Sequence, residues 1–483
     1  MPIKKARVGL ICLTLLIIFL CPHRSRAITN LEQTDMVILV DRSGSMKYKG
    51  GDPQGLSMAA VVYLLDQLEL ASDLNRSALI LFNSNIKTIP APGLTSNFEQ
   101  VRNSLSAIAN VGGGTDLEEA LIVGLRFLVK SEARKQMVLI SDGKPEPDFN
   151  SKRTIEKFPD LFKTWRKISS KNKVKRGDIL GKLSEASIRG IEENLLGVLN
   201  EEEIELYPIA LTGIQAYGEK LLKQMATKVT HDKNAFKKLR AMDMISGLDA
   251  IVRKPVSLMN IKRDNLEVAG KNRWSVEFEL YRSIQKLRVL VLYKRPPDKL
   301  SWALKGPSVM IRPDQPGKAR LAEARDKNGK GKTIFERIFL NDPQNGHYTL
   351  SFESANLLPP MQVIVEGRTD LRLEIQTEPL SGEVGAPVRF YCRVTGKDAN
   401  KLQSASGLIL NENGEHVEKS LIFEPGSGQA LSASWIPFEP GLYRMNLTGY
   451  LDQEKTNYLN TSYSFEVKPK QAIELKIVIP VRK

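Results

Sequence analysis

Cysteine and histidine are scarce in this 483-residue chain, at three and four, and each scarcity closes off a class of chemistry. Cys12 and Cys21 fall within the first 27 residues and Cys392 stands alone, so neither a disulfide framework nor a paired-cysteine metal knuckle can be written. The histidines, His23, His231, His347 and His416, lie far apart, with no His-Glu-x-x-His or His-x-His pairing. That removes the common zinc-hydrolase signatures. Neither a Gly-x-Ser-x-Gly elbow nor a phosphate-cradling glycine loop is present. Past residue 27 no apolar run approaches the ~20 residues a membrane-spanning helix needs. Acids are also in short supply, 55 against 70 Lys and Arg, for a net charge of +15.

The one long apolar run is at the start. Lys4, Lys5 and Arg7 precede residues 8–21, and Ser25-Arg26-Ala27 follows with small residues at the two positions that set cleavage. Residues 1–27 read as a secretory signal peptide. The run is shorter than a spanning helix, which predicts cleavage and export; an uncleaved signal would instead retain the protein at the membrane. Ile18-Phe19-Leu20-Cys21 departs from a lipoprotein box, because Leu20 stands where a small residue is wanted. Removal of the signal takes Lys4, Lys5, Arg7, Arg24 and Arg26 with it and leaves a net charge of about +10. A basic balance suits anionic neighbours, and nothing in the pattern specifies nucleic acid. An exported chain with only Cys392 suits a periplasmic or secreted bacterial protein better than a disulfide-stapled ectodomain. Cys392 alternates like an inward strand residue and reads as a small buried hydrophobe.

The stretch that organises the chain is Met36-Val-Ile-Leu-Val-Asp41-Arg-Ser43-Gly-Ser45. Five apolar residues without a polar break predict a central parallel strand covered on both faces, with Asp41 at its exit. Taken alone, Asp-x-Ser-x-Ser is equally a capped turn. A second run, 136–141, ends in Asp142-Gly143, and Gly112-Gly-Gly-Thr115-Asp116 lies between the two. In a doubly wound sheet ligands bind beyond the carboxyl ends of the strands where the strand order reverses, so Asp41 and Asp142 are expected to converge.

In order and context, Asp41, Ser43, Ser45, Thr115 and Asp142 resemble the complete metal-ion-dependent adhesion site of von Willebrand factor type A domains, over about residues 33–252. The resemblance implies an α/β doubly wound domain. It also implies that Ser43, Ser45 and Thr115 coordinate Mg2+ or Mn2+ by their hydroxyls, with Asp41 and Asp142 acting through bound waters. Oxygen ligands suit such hard cations, and with few direct carboxylates the metal would remain open to a carboxylate from outside. A competing reading of Thr115 is available: Thr115-Asp-Leu-Glu118 has the form of a capping box for the helix that follows, expected to run to Lys130.

The domain is expected to span 28–252. Helices are predicted at 56–70, 97–109, 216–229 and 242–252, and strands at 77–82 and 204–211, where Pro208 argues for a place near the sheet edge. A sixth strand has no clear signal. The segment 143–203 is longer than the twenty or so residues typical of the family. A basic helical insert at about 149–176 carries Phe158, Leu161, Phe162, Trp165 and Ile168 at helical spacing. It reads equally as a solvated basic helix or as a binding surface, and Lys171, Lys173 and Lys175 are its candidate partner-binding residues.

From residue 253 onward short alternating runs separated by Gly and Pro predict antiparallel sandwiches, one at 253–367 and one at 368–470. Pro440-Gly441-Leu442-Tyr443 loosely resembles the Gly-x-Tyr corner of bacterial immunoglobulin-like modules. Residues 471–483 form a tail with one more candidate strand. The whole predicts an exported, non-enzymatic protein whose metal-bearing head takes an Asp or Glu from a protein partner, in adhesion or complex assembly. The rivals are a subunit of an envelope assembly or stress complex and a metal-dependent hydrolase, the latter lacking an evident general base near Asp142.

Overall fold

The computed structural model describes residues 33–47, 56–90, 93–105, 112–143, 145–211, 216–230, 235–239 and 248, then 258–266, 272–280, 284–293, 300–312, 319–325, 331–396, 402–412, 415–425, 430–453, 455 and 457–470. The expected signal peptide, residues 1–27, and residues 471–483 lie outside these residues, as does the helix expected at 242–252 apart from the buried Leu248.

The first sheet holds β1 (Thr34–Asp41), β2 (Arg76–Phe82), β3 (Ile86–Ile89), β4 (Arg134–Ser141), β5 (Glu205–Leu211) and β6 (Lys237–Leu239), in the order β3-β2-β1-β4-β5-β6. All neighbours are parallel except β3, which turns back on β2. Around it lie α1 (Leu56–Ala71), α2 (Phe98–Leu105), α3 (Leu117–Leu128), α4 (Lys152–Lys157), α5 (Pro159–Lys167), α6 (Lys173–Gly190), α7 (Leu196–Glu201) and α8 (Ala216–Thr230), with a π-helical turn at Ile191–Leu195. The unbroken apolar run of β1 has its explanation here. From Met36 to Val40 every side chain is fully buried, because β1 is central and covered on both faces. Gly124 lets α3 press against this layer, since a Cβ there would meet Met137 Cε at 2.8 Å.

Two strands carried no sequence signal. β3 is four residues long and polar at Lys87 and Thr88, and β6 is Lys-Lys-Leu, too short for either to show alternation. Pro208 is placed as its chemistry requires: it pairs with Leu139 on one side, while β6 begins only opposite Ile209.

The insert differs in part from a simple surface addition. Its first turn is anchored, with Ser151 and Thr154 buried, whereas α5 buries no residue. Phe149 packs on Phe162 and Trp165 at 5.4 and 5.5 Å, and the Arg176 guanidinium covers Trp165 at 4.6 Å. The second half of α6 then enters the core through Ile179, Leu183 and Ile188.

The described residues from 258 onward fold as β-strands and their connections. Met310–Ile311, Leu300–Lys305, Gly346–Ser354 and Arg273–Leu280 form a four-stranded antiparallel sheet. A longer path runs from Ala319–Arg325 through Gly331–Asn341, Ile284–Tyr293 and Met361–Thr369 to Leu258–Leu266. It continues through Tyr458–Lys468, Gly441–Tyr450, Ser404–Leu410, His416–Pro425, Leu431–Trp435 and Val388–Thr395 to Arg372–Glu378. Among the described residues, strands within 258–369 meet those within 372–468 in this path only where Tyr458 and Leu459 pair with Asn260 and Met259. Tyr443 donates from Oη to the Glu439 carbonyl at 2.8 Å, which ties the corner noted in sequence, and Cys392 is buried.

Helix α1 joins the two regions. Asp66, fully buried, accepts from Arg102 at 3.1 Å and from Arg337 of the β region. Gln67 bonds both Tyr63 and Glu366, and Asp73 pairs with Lys286 and Arg368. Leu290 and Ile364 of the β region belong to the apolar cluster of the first sheet, so this seam is continuous with the core.

Candidate functional site

β1 and β4 lie side by side at the point where the strand order reverses, and both end in polar loops at the same edge. Asp41 closes β1 and has no exposure. Its Oδ1 accepts from the Ser43 amide at 2.8 Å and its Oδ2 from the Ser141 hydroxyl at 2.7 Å. The first bond folds the chain back at once, so that Ser43 Oγ and Ser45 Oγ stand 2.9 Å apart. Ser43 is buried while Ser45 is exposed, so the pair spans from the interior to solvent.

The glycine loop closes over these serines. Gly44 N donates to Gly113 O at 3.0 Å and Gly112 N to Arg42 O at 3.0 Å, while Asn83 Nδ2 holds Gly112 O at 2.7 Å. Gly113 sits at φ +83°, and a Cβ there would also lie 2.6 Å from Ser84 Oγ, so only glycine serves. Thr115 is nearly fully buried. The capping-box reading of Thr115 is corrected: α3 is capped by Asp116, whose carboxylate accepts from Glu119 N at 3.2 Å. The cap falls one residue later than the sequence pattern suggested because Thr115 is held extended, its backbone exchanging two hydrogen bonds with Glu146 at 2.7 and 3.0 Å. Its hydroxyl is not needed by the helix.

Asp142 follows β4 and is half-buried, and Gly143, at φ +88°, turns the chain away. Asp41 is pushed up to about 7, first by burial and then by the charge of Asp142, against the opposing bonds from Ser141 and Ser43. The charge of Asp142 thus adds to the cost that burial alone places on an ionised Asp41. Among the described residues no group of three or more His, Cys, Asp or Glu is gathered to hold a metal. The oxygens here are two carboxylates and three hydroxyls, a donor set that fits a hard divalent cation and no soft one.

The structure therefore brings Asp41, Ser43, Ser45, Thr115 and Asp142 to one edge of the sheet. Lys171, Lys173 and Lys175 are exposed and elsewhere. Ser184 of α6 donates to Pro145 O, just beyond Asp142, and Lys173 lies eleven residues up the same helix, ~16 Å away at ~1.5 Å per residue. Three contributors escaped the sequence reading: Ser141, Ser84 and Asp148. Each is a polar residue in the loop that follows a buried strand, or at its last position, and that placement was the available signal. His347 and His416 lie on strands of the β region.

A search of curated proteins finds no match. Among solved structures, the chain is similar to the vWF domain of the type V pili tip protein Mfa5 from Porphyromonas gingivalis, at 14% identity and a TM-score of 0.31, covering 45% of this chain and 93% of that one. It is similar also to the pilus adhesin SpaC from Lactobacillus rhamnosus GG, at 11% identity and 0.32, covering 89% and 52%. The manganese-loaded TRAP protein of Plasmodium vivax matches at 14% identity and 0.30, covering 46% and 74%. Likeness at these levels leaves function to the geometry. The family model for the von Willebrand factor type A domain matches residues 36–144, which span β1 to β4 and both loops just described, and this chain carries a von Willebrand factor type A-like α/β domain followed by a large all-β region.

Proposed function

We propose that this is an exported binding protein whose N-terminal domain holds one Mg2+ or Mn2+ and uses it to take a carboxylate from a protein partner. The observation that carries this reading is the placement of Asp41 and Asp142 at the exits of the adjacent parallel strands β1 and β4, beside the 2.9 Å Ser43–Ser45 hydroxyl pair. The carboxylates supply charge, and the hydroxyls supply neutral ligands. Ser43, Ser45 and Thr115 would hold the ion, with Asp41 and Asp142 balancing it from beyond. A cation held mainly by neutral oxygens keeps its affinity for anions, so an Asp or Glu side chain is the fitting outside ligand. Asp41 has both oxygens occupied by Ser43 and Ser141, which suits it to orient bound water rather than to act as a base.

The β region would present this head, and the exposed basic insert would favour partners with acidic surfaces. Because both Asp41 oxygens already accept hydrogen bonds within the protein, binding is preferred to hydrolysis. Mn2+ titration of the full chain followed by water-proton relaxation tests the reading. One ion should bind per chain, Ser43→Ala should weaken it at least tenfold, and added acetate should lower the relaxivity by displacing metal-bound water. A chain that takes up no Mn2+, or a Ser43→Ala chain with unchanged affinity, would sink it.

A further inference from the structure

We propose that Asp148 is a positioning residue for this metal site, and that the start of the insert is a clamp on the loop carrying Thr115. The proposal rests on the metal-binding reading above.

Three links from the chain just after Asp142 converge on that loop. Glu146 pairs its backbone with Thr115 in both directions. The Asp148 carboxylate receives Gly114 N on Oδ2 at 3.0 Å, and two bonds from Asn150, its backbone N on Oδ1 at 2.9 Å and its side-chain Nδ2 on Oδ2 at 2.8 Å, fix that carboxylate in place. Ser84 Oγ approaches the same Gly114 amide at 2.7 Å, so the loop is held from both sides. The fit is close: a Cβ at Gly114 would stand 2.3 Å from Glu146 O and 3.1 Å from Asp148 Cγ.

Behind the loop, the anchored turn of the insert grips the first turn of α3. Arg153 pairs with Glu119 at 2.7 Å and reaches Asp116 at 3.5 Å, and Lys157 pairs with Glu118 at 2.6 Å. Ser184 holds Pro145 O from α6. Thr115 lies between these anchors, so the direction of its hydroxyl is set by groups that never touch the ion. Mg2+ tolerates little error in the placement of its oxygens, and losing an outer partner of a metal ligand typically weakens binding about 10–100-fold.

The test is the rise in melting temperature that Mn2+ produces in the full chain over EDTA, together with the Mn2+ dissociation constant. Asp148 is only partly buried, so Asp148→Ala should melt near wild type in EDTA yet bind Mn2+ about 10–100-fold more weakly. Asp148→Asn keeps an acceptor for Gly114 N and should recover most of that affinity. Arg153→Gln should weaken Mn2+ in the same sense, though less. If Asp148→Ala and Asp148→Asn both bind Mn2+ as wild type does, or if Asp148→Ala lowers the EDTA melt while keeping the full Mn2+ increment, the clamp is refuted and the metal reading stands. If wild type itself shows no Mn2+ increment, the metal reading fails instead.

Discussion

Arg288 and Glu366 face each other across neighbouring strands of the β region as an ion pair closed off from water, with the Arg288 guanidinium 4.7 Å over the ring of Tyr63 on α1. The pair sits where the two parts of the protein meet. Burial opposes its charged state, and Glu366, then Tyr63 and Asp66, hold the Arg288 guanidinium positive.

Breaking that pair should cost more than losing both of its members. Glu366→Gln leaves a buried guanidinium without its ion-pair partner and should destabilise the full chain by about 3–5 kcal/mol. Arg288→Met combined with Glu366→Leu should lie close to wild type or above it. Denaturant unfolding measures both, and a single variant no weaker than the double would contradict the account.

The one-residue offset between Thr115 and the helix cap separates two functions that sequence alone runs together. Thr115→Val keeps the branched shape and should abolish tight Mn2+ binding while leaving the EDTA melt nearly unchanged. Asp116→Ala should lower the EDTA melt by the equivalent of about 1 kcal/mol, the usual worth of a cap. Equal metal loss in both variants would show that Thr115 acts only through the loop.

Acidity should act on the metal and on the metal-free protein in opposite directions. Asp41 is raised from 3.8 to about 7, so without metal the folded state holds a proton that the unfolded chain has released. Stability should therefore fall as pH climbs between about 4 and 7. A cation needs the ionised form, so Mn2+ affinity should be about tenfold weaker at pH 6 than at pH 8. Ser141→Ala removes a bond favouring the charge and should move the midpoint upward. Titrations at several pH values that give one affinity would exclude this assignment.

The three exposed lysines should steer rather than hold. Lys173 stands ~16 Å along the helix from Ser184, and exposed charges are screened over ~8 Å at physiological salt. Neutralising Lys171, Lys173 and Lys175 together should slow association with a poly-glutamate probe several-fold at low salt, fading as salt rises, with dissociation unchanged. Stopped-flow or biosensor kinetics would show it, and an unaltered association rate at low salt would remove these residues from the mechanism.

The parts of the fold that sequence made legible are those in which one face or both must be apolar. Residues 36–40 and 137–140 could be placed because the middle of a central parallel strand is covered by apolar layers on both faces, and the oxygen-bearing residues stood out because they ended those runs. β3 and β6 were illegible because a strand of four or three residues contains at most two periods of alternation. Arg288, Arg337 and Glu366 were illegible for another reason. A charge within an alternating strand reads as facing water, and only the approach of α1, more than two hundred residues earlier, makes those positions interior. Asp148 was hidden likewise, since its partner Gly114 is an amide, and amides carry no sequence.

Helix α1 follows the serine loop in the chain and ends at the seam with the β region, sixteen residues and ~24 Å long at ~1.5 Å per residue. Mechanically it is a strut. A tug on anything captured at the loop would pass along it to Tyr63, Asp66 and Gln67, and so to charges that water cannot reach one at a time. Such a joint should stretch little and open abruptly once Arg288 or Arg337 is exposed, as a brittle coupling does and a spring does not.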